Sequence, residues 1–176
     1  MVRLIQDQGV AGKSLLDIGG GVGVIQHELL KAGASDAVGV EASSAYTKAA
    51  EEEAERQGHK DRISSRFGDF VEVAEDIQPA DIVTLDRVIC CYHDLDGLVG
   101  LSTERATSLY GIVYPRDIWP VKAAFGLINL YLRLTRKTFR VFVHPTTVVD
   151  ALVRRIGFQQ RHYSKTRIWQ VVLYGR

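Results

Sequence analysis

The sequence predicts an α/β fold with a mostly parallel sheet that ends in an antiparallel hairpin. Short apolar runs alternate with helix-length segments along most of the 176 residues, and this alternation favours right-handed crossovers between parallel strands. Near the C-terminus, residues 158–164 and 168–174 are strand-like runs with too little chain between them for a helix. Strands joined by such a short turn pair antiparallel. The length suits one domain covering residues 1–176.

Each element of the alternation has its own local evidence. Residues Ser14–Ile18 form an apolar run that stops at a glycine cluster, as a buried parallel strand does. Apolar residues at helical spacing from Val22 to Ala32 predict the first helix, and the Ala- and Glu-rich segment 44–57 predicts the second. Residues 95–106 predict a third helix. The remaining strands are expected at 37–40, 62–67, 81–85 and 109–114.

A final helix is predicted just before the hairpin. Thr147 and Asp150 have the spacing of a capping box, and Pro145 stands just ahead of them. A helix that begins there would turn Val149 and Leu152 inward.

The formal net charge of +1 is distributed unevenly along the chain. Residues 1–115 hold 10 Lys and Arg against 19 Asp and Glu, a net charge of −9. Residues 116–176 hold 12 Lys and Arg and two acids, Asp117 and Asp150, a net charge of +10. This basic part favours an anionic small molecule, an acidic partner or an anionic membrane surface over a cationic one. Alternatively, the two parts neutralise each other across the folded domain.

The cysteines and the N-terminus indicate a cytoplasmic protein. Cys90 and Cys91 are adjacent, which suits neither an ordinary disulfide nor the spacing of a metal site, so no metal is predicted. The N-terminal residues have no apolar core of a signal peptide. Lys122 and Arg133 interrupt the longest apolar stretch, 118–134, which is then too short to span a bilayer.

The most specific motif, Leu16-Asp17-Ile18-Gly19-Gly20-Gly21-Val22-Gly23, lies between the first strand and the first helix. Glycines there allow a tight turn and the close approach of a ligand. Glu41 ends the second strand, where a carboxylate can accept hydrogen bonds from both ribose hydroxyls of a nucleoside. The dinucleotide fingerprint requires Gly or Ala where this chain has Val24 or Gln26, which disfavours an NAD-linked oxidoreductase.

This pattern resembles motif I of the class I S-adenosylmethionine-dependent methyltransferases. The resemblance covers roughly the whole chain, because Glu41 matches the ribose-binding acid and Gly68-Asp69-Phe70 matches the adenine-binding turn. The closing antiparallel hairpin is also typical of that family. The resemblance implies a Rossmann-like seven-stranded sheet of order 3-2-1-4-5-7-6 with helices on both faces. It also implies an enzyme with S-adenosylmethionine as its cofactor.

The resemblance implies a role for each residue of the motif. Gly19 and Gly21 are expected under the methionine moiety of the cofactor, with Asp17 near its amino group. Glu41 is expected to hold the ribose. The full set of expected cofactor-binding residues is Asp17, Gly19, Gly20, Gly21, Gly23, Glu41, Ala42, Gly68, Asp69, Phe70, Asp86 and Arg87.

Four of these residues have a structural alternative. The resemblance implies that Asp69 accepts a hydrogen bond from the adenine amino group while Phe70 packs against the ring. It also implies that Asp86 and Arg87 face the methionine end. Alternatively, Asp69 only caps the next helix, Phe70 belongs to the core, and Asp86 pairs with Arg87.

Candidate catalytic residues follow the fourth strand. Methyl transfer from a sulfonium is an in-line displacement that depends on positioning, and it needs a base only if the acceptor is protonated. In the family this segment commonly lines the reacting centre; here it supplies Tyr92 as a pocket wall and His93 as a base. His144 is a second candidate base. The alternatives are that His93 is a surface residue and that His144 packs against a helix N-terminus.

The segment 115–145 is longer than a simple crossover and mixes apolar with basic residues. One interpretation is a lid or substrate insertion with an apolar inner face over the acceptor site. A second is that residues 118–137 rest on a membrane surface, as basic amphipathic helices do. The third is an ordinary core helix with a solvated basic edge.

The leading hypothesis is a methyltransferase that acts on a small-molecule acceptor, anionic or planar. The positions of Tyr114-Pro115-Arg116, His144-Pro145 and Trp169 resemble members of the family that methylate quinone-like or porphyrin-like intermediates. The basic C-terminal third motivates a nucleic-acid methyltransferase as an alternative, although no base-stacking motif accompanies it. A non-catalytic binding protein is the third hypothesis, because only about ten residues precede Ser14, where most members have a covering segment.

Overall fold

The computed structural model describes residues 1–176 and contains seven strands and seven α-helices. The strands are β1 (Leu15–Ile18), β2 (Ala37–Glu41), β3 (Ile63–Phe67), β4 (Ala80–Asp86), β5 (Ala106–Pro115), β6 (Gln159–Lys165) and β7 (Trp169–Gly175). The helices are α1 (Val2–Gln6), α2 (Val24–Lys31), α3 (Ser44–Arg56), α4 (Phe70–Val73), α5 (Leu95–Glu104), α6 (Trp119–Leu134) and α7 (Thr146–Arg155). Three short 3-10 turns lie at Lys60–Arg62, Ala74–Asp76 and Ile89–Cys91.

All seven strands form one sheet in the order β3-β2-β1-β4-β5-β7-β6. The strands β1 to β5 pair in parallel, whereas β7 runs antiparallel to both β5 and β6. The sheet order and the closing hairpin confirm the fold class predicted from the sequence. In this order β1 lies between β2 and β4, at the point where the connections change direction, and ligands of open α/β sheets bind at such a point.

Both faces of the sheet are covered, which explains why its central strands are apolar without alternation. Leu15 of β1 belongs to a cluster of 11 buried residues with α1 and α2. The next residue, Leu16, belongs to a cluster of 23 buried residues with α5 and α7. Successive side chains of a strand point to opposite faces, so the sheet carries one core on each side. The predicted placement of helices on both faces is thereby confirmed.

Some element boundaries differ from those predicted. The strand β5 begins three residues earlier than the predicted 109–114, and the first long helix, α2, begins at Val24, so that Val22 lies in the loop. The predicted capping box of α7 is wrong. The N-cap is Pro145, which has no side-chain hydrogen-bonding group, and Thr147 lies inside the first turn of the helix. The carboxylate of Asp150 pairs with Arg154 one turn later.

The segment 115–145 folds as α6 followed by an extended return towards α7. Asn129 of α6 holds this return, since its side chain bonds both the carbonyl oxygen (2.7 Å) and the N–H (3.0 Å) of Val141. Val121 is the one buried residue of α6, which excludes an ordinary core helix. None of the helices is both long and apolar enough to cross a membrane.

Candidate functional site

A cavity of about 1290 Å³ lies at the carboxyl ends of β1, β2 and β4. The loops that follow the first four strands form one side of it, and α6 with the return segment forms the other. Ten of the twelve residues expected to bind the cofactor line this cavity: Gly19, Gly20, Gly21, Glu41, Ala42, Gly68, Asp69, Phe70, Asp86 and Arg87. The cavity therefore brings together residues that are up to about 70 positions apart in the sequence, as the order of a parallel sheet requires.

The three glycines after β1 are required for different reasons. Gly19 and Gly21 have positive φ angles of 64° and 58°, which residues with a side chain rarely adopt. A Cβ atom at Gly19 would lie 2.7 Å from Val88 Cγ2, and one at Gly20 would lie 2.0 Å from Asp17 Oδ2. At Gly21 the nearest atom would be 4.0 Å away. The first two glycines thus permit internal packing, whereas the third leaves open space on the cavity side.

Asp17 lies beneath the glycine loop and not in the cavity. Its side chain is fully buried, accepting hydrogen bonds from Thr84 Oγ1 (2.7 Å) and Gln26 Nε2 (3.1 Å). Burial raises the pKa of Asp17 to about 6, against the opposing effect of these two hydrogen bonds. Asp17 thus supports the loop from below, and its expected position near the amino group of the cofactor stays a prediction. Gly23 does not line the cavity either, but begins α2 with a φ of 80°.

Glu41 is fixed at the end of β2 with its carboxylate in the cavity wall. Its Oε2 accepts the N–H of Gly21 (3.2 Å) and its Oε1 accepts the N–H of Ser43 (2.9 Å). Each carboxylate oxygen can accept a second hydrogen bond. Glu41 is thus oriented by the backbone and still able to accept two donors, such as a pair of adjacent hydroxyl groups.

The carboxylate of Asp69 is bonded to Tyr92, a contact that the sequence did not predict. Asp69 caps α4 through the N–H of Val71 (3.0 Å), and it also accepts the Tyr92 hydroxyl at 2.8 and 2.9 Å. Burial and the adjacent carboxylate raise the pKa of Tyr92, so its phenol stays protonated as a donor. Asp69 therefore caps α4, as its alternative stated, but it also bonds Tyr92 and lines the cavity. Phe70, although it lines the cavity, is only 4% exposed and belongs to the core, as its alternative stated.

The opposite end of the cavity carries an ion pair and an aromatic ring. Arg87 Nε lies 3.2 Å from Asp86 Oδ1, so the pairing alternative for these residues also holds. The guanidinium of Arg87 lies 6.0 Å from the ring centre of Trp169 at the start of β7. This end of the cavity therefore combines a cation with an aromatic surface.

Neither histidine predicted as a base lines the cavity. His93 is exposed and stacks on Tyr92, with 5.5 Å between ring centres, in agreement with its surface alternative. His144 Nε2 lies 2.8 Å from the carbonyl oxygen of Ile89 and 3.1 Å from that of Tyr92. It thus holds the turn after β4 and not a helix N-terminus. Of the three predicted catalytic residues only Tyr92 lines the cavity, and the roles of His93 and His144 as bases stay predictions.

The two cysteines were not selected from the sequence as site residues, yet both line the cavity. Their Sγ atoms are 3.6 Å apart, and Cys90 is also within 3.1 Å of the carbonyl oxygen of Arg87. When the single Cys90 thiol proton is donated to Cys91 Sγ and not to the Arg87 carbonyl oxygen, it lowers the pKa of the Cys91 thiol to about 7, although burial opposes this effect. The Cys91 thiol is therefore more acidic than an isolated cysteine.

An apolar wall faces the glycine loop across the cavity. Phe125 and Ile128 come from α6, and Phe139 and Val141 come from the return segment. The spacing of Phe125 and Ile128 places them on one face of a helix, which was the available sequence signal. These contacts agree with an apolar inner face of the 115–145 segment, while its role as a lid remains a prediction.

The known proteins that this chain resembles are methyltransferases. A family model described as "Methyltransferase domain" matches residues 16–104. The ribosomal protein L11 methyltransferase of Alteromonas mediterranea is 32% identical over 125 residues, which are 66% of this chain and 43% of that protein. The chain thus spans less than half the length of this relative.

Two solved structures illustrate the similarity of fold. Magnesium protoporphyrin IX methyltransferase from Synechocystis PCC 6803, with bound S-adenosylhomocysteine, has a TM-score of 0.79 at 16% identity, covering 99% of this chain and 78% of that chain. A structure described as a putative RNA methyltransferase from Pyrococcus horikoshii has a TM-score of 0.67 at 17% identity, with 99% and 79% covered.

The buried carboxyl of Asp17 predicts a specific pH dependence of stability. The pKa is raised from 3.8 to about 6 on folding, so the native state binds more protons than the unfolded state between these values. The free energy of unfolding should therefore fall by up to about 3 kcal/mol as the pH rises from about 4 to 6, and stay level above.

Asp17→Asn should remove this contribution, as measured by urea unfolding at a series of pH values. Asp96→Asn, at an exposed position of α5, is the matched control and should keep the wild-type slope. A pH slope in Asp17→Asn equal to that of the wild type would contradict the assignment.

The cysteine pair predicts the reactivity of Cys91. Alkylation of Cys91 by iodoacetamide, followed by tandem mass spectrometry, should be half-maximal in rate near pH 7 in the wild type. Cys90→Ala removes the donor and should move this midpoint towards about 8.5. Cys90→Ser retains a hydroxyl donor and should give a smaller shift. If Cys90→Ala left the midpoint in place, Cys90 would not be the cause.

Proposed function

The chain belongs to the methyltransferase-domain family, and on this premise we propose that it is an S-adenosylmethionine-dependent methyltransferase acting on a small-molecule acceptor. The observation that carries the proposal is the position of Glu41. Its carboxylate is oriented by two backbone N–H groups beside the open space above Gly21. That arrangement suits a ligand whose ribose hydroxyls bond Glu41 and whose neighbouring atoms approach the backbone of Gly21 closely.

The remaining residues of the cavity fit the other parts of S-adenosylmethionine. Asp69 Oδ2 accepts only the Tyr92 hydroxyl and retains a free lone pair for an amino group such as that of adenine. Glu41, Asp69 and Asp86 place three carboxylates around the cavity, against the one guanidinium of Arg87 that pairs with Asp86. This negative balance favours a ligand that carries positive charge. When bound, S-adenosylmethionine would supply an activated methyl group on a sulfonium for in-line transfer to a nucleophile, with S-adenosylhomocysteine as the leaving group.

The chain contributes positioning and the exclusion of water. Phe125, Ile128, Phe139 and Val141 form an apolar wall, which suits the body of a planar or apolar acceptor and keeps solvent from the transfer step. No histidine reaches the cavity, so the proposal assigns no general base to His93 or His144. An acceptor atom that is already deprotonated in its bound form needs none.

The pair of Arg87 and Trp169 indicates the chemistry of the acceptor. A guanidinium beside an indole ring offers a bond to a carboxylate and a surface for stacking. The acceptor proposed is therefore a planar molecule with an anionic group. The similarity in fold to a methyltransferase named for magnesium protoporphyrin IX supports an acceptor of this shape.

A protein acceptor is the second candidate. It is favoured by the 32% identity to an enzyme named for ribosomal protein L11. Transfer of a labelled methyl group from S-adenosylmethionine should be compared between ribosomal protein L11 and a panel of aromatic and porphyrin carboxylates. Label on the small carboxylates, lost in Arg87→Ala, supports the first candidate; label on the protein alone replaces it with the second.

Cofactor binding provides the direct test of the proposal. Calorimetry should detect binding of S-adenosylmethionine and S-adenosylhomocysteine to the wild type. Glu41→Gln should weaken both by at least about tenfold, because hydrogen bonds to a charged group are lost. Glu51→Gln, at an exposed position of α3, is the matched control and should bind as the wild type does. Failure of the wild type to bind either molecule, or an unchanged affinity in Glu41→Gln, would sink the proposal.

A further inference from the structure

The side of α6 that faces away from the cavity is an exposed apolar surface, here called the outer face. With a rotation of 100° per residue, the side chains of the outer face lie on one side of the helix. Those of Val121, Phe125 and Leu132 lie on the opposite side. Monomeric proteins rarely leave such a continuous apolar stripe in water. The outer face consists of Trp119, Leu127, Leu130, Tyr131 and Leu134, which are between 53% and 79% exposed.

Basic residues border the outer face, and residues 118–149 contain no Asp or Glu. Lys122 and Arg133 lie along one edge of the stripe, and Arg136, Lys137 and Arg140 follow its C-terminal end. The acid nearest to the stripe in sequence, Asp117, forms an ion pair with Lys122, and no other acid occurs before Asp150. The outer face therefore combines apolar area with a positive border.

We propose that the outer face of α6 binds the surface of an anionic lipid bilayer. The stripe can enter the boundary between headgroups and acyl chains while the basic residues contact anionic headgroups. Trp119 and Tyr131 stand near the two ends of the stripe, and such amphipathic rings favour the headgroup level. A helix of 16 residues, about 24 Å long, lies flat in this arrangement and does not cross the membrane.

Charge favours a bilayer over a second copy of the chain. Two copies packed through their outer faces would bring the basic residues of each helix towards those of the other. An anionic bilayer meets the same residues with opposite charge and covers the apolar stripe without requiring a complementary protein shape. The membrane is therefore the occupant whose chemistry matches both parts of the surface.

Membrane binding would also place the cavity beside the bilayer. Phe125 and Ile128, on the inner side of the same helix, line the cavity. Phe139 and Ile168 line it as well and are each about half exposed, so the apolar cavity wall continues to the protein surface near α6. The inference itself depends on the outer face alone and does not require methyl transfer.

Flotation of the full chain with lipid vesicles tests the proposal. The protein should float with phosphatidylcholine vesicles that contain phosphatidylserine, and much less with phosphatidylcholine alone. Binding should weaken as the salt concentration rises, because salt screens the charges. In a Trp169→Phe variant Trp119 is the one remaining tryptophan, and its emission should shift to shorter wavelength on binding. Absence of flotation with the anionic vesicles would overturn the proposal.

Two double variants separate the apolar and electrostatic contributions. Leu130→Ser with Leu134→Ser should reduce the partition onto anionic vesicles by about tenfold or more, and Arg133→Glu with Lys137→Glu should remove the preference for phosphatidylserine. Val148→Ser, an exposed apolar position of α7, is the matched control and should float as the wild type does.

Circular dichroism and thermal unfolding verify that each variant is folded. Light scattering after size exclusion tests the competing occupant. A dimer that Leu130→Ser with Leu134→Ser converts to a monomer, without vesicle binding by the wild type, would assign the face to a second copy and overturn the proposal.

Discussion

The carboxylate of Asp17 joins three elements beneath the glycine loop, and the geometry of the site depends on this junction. Asp17 lies within β1, and its two oxygens accept hydrogen bonds from Thr84 on β4 and Gln26 on α2. The junction occupies the space that a side chain at Gly20 would need. Gln26 in turn lies so close to β2 that a Cβ at Gly39 would be 2.8 Å from its Nε2. Two of the glycines are thus explained by one buried carboxyl group, and the N–H of Gly21 is presented to Glu41 above it.

The sequence predicts the fold well because the evidence for it is local. Alternation of strands and helices, the glycine cluster and the closing hairpin each lie within a short stretch of chain, and the sheet order follows from the resemblance to a known family. The direction of individual side chains is decided by distant partners. Asp17 turns into the interior because Thr84, 67 residues away, donates to it, and Tyr92 meets Asp69 across 23 residues. His93 and His144 could not be separated from surface and structural histidines for the same reason.

The division of charge along the chain persists in the folded protein. All eight ion pairs join two residues of the same part, either both within 1–115 or both within 116–176. Direct pairing therefore does not neutralise one part against the other. Carboxylates gather around the cavity, whereas the cations of the C-terminal part border α6 and the edge strand β6. Exposed ion pairs of this kind contribute little to stability. The uneven distribution of charge therefore affects which ligands the cavity and the basic surface attract more than it affects stability.

A continuous series of hydrogen bonds connects α6 with the loops that follow β3 and β4 on the other side of the cavity. Asn129 on α6 holds Val141, and the next residue, Phe142, donates its N–H to the carbonyl oxygen of Cys90 (2.7 Å). His144 holds the carbonyls of Ile89 and Tyr92 on the same turn.

Tyr92 then completes the series, because its hydroxyl donates to Asp69 on the far side of the cavity. The segment 115–145 thereby does more than cover one wall: it fixes the turn that carries Cys91 and Tyr92. A displacement of α6 relative to the sheet would have to break one of these bonds or move that turn, and with it the donor that orients Asp69. The position of α6 and the orientation of the Asp69 carboxylate are therefore linked through one series of hydrogen bonds.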